Sequence, residues 1–210
     1  MATGNRRQTV VLLHGLWMGR WAMLPLGHRL KRAGFHVRHF GYPTRAPLPR
    51  DADRLDEWLE ELGAVHFVAH SLGGLVLAHL FDRHPDRLEQ TDRIVLLGSP
   101  LAGSVVARRV GDTLIGRWTL NGSLERGLSG DVPAWRAPRT LMIAGTRPIG
   151  PGRLIPRTLS GPSDGTVAVT ETRDPALAEH RSLPVNHFGM LLSRRVADEA
   201  IAFLQPTGAD

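Results

Sequence analysis

Val65-His66-Phe67-Val68-Ala69-His70-Ser71-Leu72-Gly73-Gly74-Leu75-Val76-Leu77-Ala78 joins an apolar, β-branched run to a helix-like apolar run through a small-x-Ser-x-Gly turn. Strand, sharp turn and helix are the setting in which such a serine becomes a nucleophile elbow. The turn forces Ser71 into a positive-φ backbone, so the residues two before and two after it have to be small for strand and helix to approach. Ala69 and Gly73 fill those places; Ala69 stands where Gly is usual and adds only a methyl group. The geometry presents the Ser71 hydroxyl at the carboxyl end of the strand and the Leu72 N–H at a helix N-terminus, where it can stabilise an oxyanion. The short pattern alone also describes a serine turn that merely caps a helix. The strand ahead of it and the glycine pair behind it favour the nucleophile.

Outward from this stretch, apolar β-rich runs alternate with helical patterns. Thr9–Leu13 reads as a strand buried on both faces and ending at His14-Gly15. A helix is expected from about Arg20 to Ala33, a second strand over His36–Tyr42, and a proline-rich loop over Pro43–Pro49. Asp51 or Asp53 is expected to open the next helix, with Leu55, Trp58, Leu59 and Leu62 at helical spacing and Gly63 as its stop. The third strand is Ala64–Ala69, and the helix after the elbow runs to about His84. Arg93–Gly98, Arg139–Gly145 and Glu179–Val185 read as three further strands, and Phe188–Leu204 as the last helix. This alternation predicts an α/β protein: a doubly wound, mainly parallel sheet of about six strands with helices on both faces. Residues 1–210 read as one domain, with a small cap-like insertion around 101–138.

Composition excludes several classes. The chain has no cysteine, so neither a disulfide framework nor a thiolate zinc site is available. No apolar stretch approaches the roughly 20 residues of a membrane span, and the run after the polar N-terminus is too short for a signal segment. The expected setting is cytoplasmic. The net charge of +6 comes almost wholly from arginine, Lys31 being the one lysine. These arginines are scattered, in runs no longer than Arg6-Arg7, Arg108-Arg109 and Arg194-Arg195, which speaks against a nucleic-acid partner. His36 and His39 would face opposite sides of a strand, and there is no cysteine cluster, so no metal site is expected.

An activated serine needs a base, and the base an orienting acid. Four histidines follow Ser71. His79 and His84 lie on the helix after the elbow and point away; His180 starts the last strand, at the wrong end of the sheet. His187 follows that strand and falls at the carboxyl end, where Ser71 emerges. His70, adjacent in sequence, is expected to project away from Ser71. Among the acids, Asp164 sits in Gly161-Pro162-Ser163-Asp164-Gly165-Thr166-Val167, a turn that can hold a carboxylate above the sheet. Glu171 and Asp174 are its competitors, and Asp131 is a weaker one because it precedes the fifth strand. A second oxyanion donor is expected from the loop after the first strand, where Gly15 lets the Leu16 N–H face Ser71. Two such donors are worth about 3 kcal/mol each in the transition state. Trp17 and Met18 would line the mouth of the pocket.

With these residues in hand, the chain resembles the α/β-hydrolase family, and within it the small bacterial serine esterases and lipases. Leu13-His14-Gly15-Leu16, Ala69-His70-Ser71-Leu72-Gly73-Gly74, Gly98-Ser99-Pro100-Leu101-Ala102-Gly103-Ser104, Ser163-Asp164-Gly165-Thr166-Val167 and Asn186-His187-Phe188 carry the resemblance, in family order over nearly the whole chain. The chain departs from the larger members in that it is expected to lack their first two strands and a large lid, a minimal version of the fold. The resemblance implies Ser71 as nucleophile, Asp164 as acid, His187 as base, main-chain oxyanion donors at Leu16 and Leu72, and no cofactor.

The expected activity is hydrolysis of small-molecule carboxylic esters through an acyl-serine. A thioesterase or acyltransferase would use the same three residues, because discrimination lies in the pocket rather than in the triad. A non-catalytic binding protein on the same scaffold has no need of all three.

Overall fold

The computed structural model describes residues 8–111, 128, 132–137, 139–150, 159 and 161–205. Six strands, β1 (Thr9–Leu13), β2 (His36–Phe40), β3 (Val65–His70), β4 (Thr91–Leu97), β5 (Thr140–Gly145) and β6 (Glu179–Leu183), form one sheet. Their order is β2-β1-β3-β4-β5-β6, and every pair is parallel. The helices are α1 (Leu24–Arg32), α2 (Leu48–Leu59), α3 (Leu72–Arg83), α4 (Val105–Gly111) and α5 (Arg194–Leu204).

Continuous apolar strands require both sheet faces to be covered, and alternate residues go to opposite layers. Val11, Leu13, Phe67, Ala69, Ile94 and Leu96 pack with Leu48, Leu55 and Leu59 of α2 and Leu72 and Leu75 of α3. Val10, Leu12, Val68, Val95, Leu97 and Ile143 pack on the other side with Leu26 and Leu30 of α1 and Val196, Ala200 and Phe203 of α5. The result is a three-layer sandwich. The chain steps outward from β1 to β2 and then returns to β3 on the other side of β1. The carboxyl ends of β1 and β3 therefore flank the point where strand order reverses, the place such sheets offer a ligand.

Several boundaries differ from the sequence reading, among them those of two helices. Helix α2 begins at Leu48, inside the expected proline-rich loop, because Pro47 caps it and Pro49 falls in the first turn, where a missing N–H costs nothing. Leu48 is fully buried and draws that turn into the core. The same helix ends at Leu59, before Gly63. The expected final helix is two pieces: a 3-10 turn (Gly189–Leu191), then α5, with the Ser193 hydroxyl accepting from the Val196 N–H at 3.3 Å as a fresh N-cap.

Of the insertion expected at 101–138, residues 112–127, 129–131 and 138 lie outside the described residues, as do Trp118 and Asp131. Among the described residues no helix is long and apolar enough to cross a membrane.

Candidate active site

Ser71 has φ 53° and ψ −116°, the strained backbone that the elbow demands. Its N–H donates to the Leu97 carbonyl at 2.9 Å, so the turn is still tied to β4 as the chain leaves the sheet. Helix α3 then crosses closely behind β1. A Cβ on Gly73 would meet Leu13 Cβ at 2.9 Å and the His14 carbonyl oxygen at 3.1 Å, which is why the position two after the serine has to be small.

Across the carboxyl ends of the strands, Asp164 and His187 form a buried pair. His187 Nδ1–H donates to Asp164 Oδ2 at 2.6 Å, and the two side chains are 3% and 1% exposed. The other carboxylate oxygen, Oδ1, accepts from the N–H groups of Thr166 at 2.9 Å and Val167 at 2.7 Å. The Asp164 carbonyl accepts from His187 N–H at 3.0 Å, so backbone and side chain fix the same pair. A single antiparallel bridge between Ser163 and Ala168 closes the acidic loop. Space for the pair comes from Gly98 at the end of β4, φ 58°: a Cβ there would lie 3.0 Å from Asp164 Oδ2 and 3.3 Å from His187 Nδ1. With Nδ1–H committed to the carboxylate, Nε2 of His187 is left as the acceptor, the tautomer that a general base needs.

Ser71 and His187 line one cavity of roughly 180 Å³. Leu16, Trp17 and Met18 from the loop after β1 contribute to it, and Val106, Ala107, Leu128, Val167 and Phe188 make most of the remainder apolar. Ser71, His187, Trp17 and Met18 thus line the same cavity.

The loop after β1 is held by residues that this reading did not single out. Tyr42, just beyond β2, donates its hydroxyl to the His14 carbonyl at 2.5 Å and stacks on the His14 ring at 4.4 Å. His14 Nδ1–H donates to the Gly15 carbonyl at 3.0 Å, and its Nε2 accepts from the Tyr42 N–H at 3.4 Å. Burial lowers the pKa of His14, in keeping with this neutral arrangement. Thr44 Oγ1 accepts from the N–H of Trp17, whose own φ is 56°. The strand register brings them there: Leu13 pairs with Phe40, so the residues that follow the two strands lie side by side.

His70 corrects an expectation. It does not project away; it lines the cavity, its Nε2–H donates to the His187 carbonyl at 3.0 Å, and the two rings lie 4.6 Å apart. It shares the site without being placed as its base. Glu171, a competitor for the acid, instead ties two loops together, accepting from Val105 N–H at 2.6 Å and Ala168 N–H at 2.8 Å. Asp174 accepts from Ala176 N–H in a local turn. His84 pairs with Asp53 and Asp56, and His180 bonds Thr172 Oγ1 at 2.9 Å; both lie apart from Ser71. Among the described residues no three His, Asp or Glu side chains cluster so as to hold a metal ion.

The parallel sheet, the elbow between β3 and α3, and the Asp–His pair across the strand ends define a class, and comparison with known proteins names it. The chain belongs to the Alpha/beta hydrolase family, whose model matches residues 10–204. A carbendazim hydrolyzing esterase from a Nocardioides species is 34% identical over 85 residues, 35% of this chain and 35% of that protein. The match therefore spans about a third of that relative's length. Among solved structures, a Bacillus licheniformis lipase in its mature form superposes with a TM-score of 0.70 at 18% identity, covering 94% of this chain and 93% of the other. A metagenomic carboxyl esterase gives 0.73 at 17% identity, with 97% and 77% covered. A monoacylglycerol lipase from Paleococcus ferrophilus gives 0.60 at 18%, with 93% and 94% covered. At these identities the structural likenesses establish the fold.

Proposed function

We propose that the chain hydrolyses small carboxylic esters through an acyl-serine formed on Ser71. The observation that carries this reading is the 2.6 Å bond between His187 Nδ1 and Asp164 Oδ2, buried against the same cavity that Ser71 lines.

His187 Nε2 takes the Ser71 proton as Oγ attacks the ester carbonyl, and Asp164 stabilises the imidazolium that results. The Leu72 N–H, at the start of α3, and the Leu16 N–H, in the clamped loop after β1, stabilise the tetrahedral oxyanion. Collapse expels the alcohol, which takes the proton from His187. Water then attacks the acyl-serine, its proton passing to His187 and on to Ser71 as the acid leaves. The apolar wall of Val106, Ala107, Leu128 and Val167 receives the acyl group, with Trp17 and Met18 at the mouth. The cavity volume, well under the roughly 300 Å³ at which drug-sized ligand pockets begin, suits a short acyl chain.

Turnover of p-nitrophenyl acetate, butyrate and octanoate by wild type, Ser71→Ala and His187→Ala tests the reading. The expected result is a preference for the shorter esters and a loss of about 10⁴-fold or more in either variant. Equal turnover by Ser71→Ala would contradict it.

A further inference from the structure

Exposed apolar residues are not spread evenly over this molecule. Among the described residues six large hydrophobic side chains are exposed, and five of them fall in two short segments: Trp17, Trp21 and Leu24, and Phe188 and Leu192. Contacts join these segments into one face. Trp17 and Phe188 share the rim of the reaction cavity. Arg29 Nη2 donates to the Leu192 carbonyl at 3.2 Å, bridging α1 to the turn before α5. Leu24, Arg29, Arg32 and Arg194 line one shallow groove, and Trp21 and Leu24 share a neighbouring depression with Arg20.

The charge on this face is predominantly positive. The first 50 residues hold nine of the 26 lysines and arginines and none of the 20 acidic residues. Residues 180–197 hold no acid either, and supply Arg194 and Arg195. Asp198 is the acid that lines the groove. Helix α1 turns Leu26 and Leu30 into the core, leaving Leu24 and Pro25 exposed near its start and Lys31 and Arg32 exposed at its end. Apolar side chains ringed by arginines, in a patch continuous with a cavity mouth, match an interface that is negative at its surface and apolar just beneath.

We propose that this face docks the protein on an anionic phospholipid surface. Arg20, Arg29, Arg32 and Arg194 meet the headgroup phosphates, and Trp21, Leu24 and Leu192 enter the interfacial layer. The cavity rim at Trp17 and Phe188 then faces the lipid. The docking is independent of the chemistry at Ser71, and its test is a binding measurement.

Co-sedimentation with vesicles of phosphatidylglycerol mixed into phosphatidylcholine, against phosphatidylcholine alone, provides that test. The protein is expected to partition onto the anionic vesicles, less so as salt rises. Arg32→Glu with Arg194→Glu is expected to weaken partitioning about tenfold or more. Trp21→Ser with Leu24→Ser is expected to abolish the binding that persists at high salt. Both double variants keep wild-type melting and wild-type hydrolysis of a soluble ester. Ser71→Ala is expected to bind as wild type does, so a failure of the hydrolase reading leaves this result standing. Equal partitioning of wild type and the charge-reversed variant would overturn the proposal. So would wild type remaining in the supernatant while it binds duplex DNA through the same arginines.

Discussion

His70 and His187 meet twice: the Nε2–H of His70 donates to the main-chain carbonyl of His187 at 3.0 Å, and their rings lie 4.6 Å apart. Burial, and then the charge of His187 itself, push the pKa of His70 well below that of an ordinary imidazole. Its other nitrogen, Nδ1, is buried without a hydrogen-bond partner. His70 is thus a neutral prop beneath the proposed base, delivered there by its place one residue before the elbow.

His70→Phe fills the space but leaves the His187 carbonyl without its donor, a defect of about 1–3 kcal/mol. The expected outcome is a kcat lowered about 10–100-fold with KM little changed, as for a base held slightly out of place. His70→Gln, which restores an N–H donor, is expected to recover much of the loss. Steady-state kinetics on a soluble ester separates this from a stability defect, which would lower the active fraction without that rescue.

Asp164→Asn is the sharper test of the pair. The remaining amide oxygen can still accept from the Thr166 and Val167 N–H groups, so the loop keeps its shape. The amide NH₂ then faces His187 Nδ1 and stabilises the tautomer with its proton on Nε2, which cannot take a proton from Ser71. A fall in kcat of about 10⁴-fold is expected, with melting close to wild type. Activity within tenfold of wild type would show that another acid serves.

Gly15→Ala probes the loop that supplies the Leu16 donor. The added methyl would sit 2.9 Å from His70 Nδ1, 3.2 Å from Ser71 Cβ and 3.3 Å from Met18 Sδ. Met18 can move, but the elbow cannot without disturbing the serine. Activity is expected to fall about 10²-fold or more, on the scale of a lost oxyanion donor. Hydrolysis rates normalised to titrated active sites check this.

Asp51 gives a pH-dependent prediction. Both of its carboxyl oxygens are buried without a hydrogen bond, and Arg54 stands 3.6 Å away. Burial raises its pKa from 3.8 to about 7, with Arg54 opposing the rise. The folded protein therefore holds this proton where the unfolded chain has released it. The stabilisation is complete below about pH 4 and is lost as pH rises through 7. Asp51→Asn, which cannot ionise, is expected to melt higher than wild type at pH 8 and to lose that advantage towards pH 4. A difference in melting temperature that is flat across this range would contradict the account.

Much of this was legible in the sequence, for reasons that particular residues make plain. Strand cores such as Val10–Leu13 and Phe67–Ala69 are apolar without interruption because both faces are covered, and such runs can hardly be read otherwise. Ser71 and His187 could be placed at one edge of the sheet because each closely follows a strand and the parallel order brings strand ends together, whereas Asp164 was read from its turn. Lateral contacts were not. Tyr42 and Thr44 reach His14 and Trp17 through the pairing of β1 with β2, and Glu171 ties its loops through backbone amides that any sequence has. His70 was misjudged because alternation along a strand sends neighbours to opposite faces, and the elbow breaks that alternation at the residue after it. The start of α2 was misplaced because prolines were read as loop, whereas the first turn of a helix accepts them.

The central claim is that Ser71 is a nucleophile activated by His187. Labelling with a fluorophosphonate, followed by peptide mapping, tests it most directly, because attack by an activated serine expels fluoride and leaves a stable phosphonyl ester on Oγ. The account predicts stoichiometric label on Ser71, none on Ser71→Ala, and labelling slowed by orders of magnitude in His187→Ala. A folded wild type that takes no label, or takes it on another residue, would contradict it.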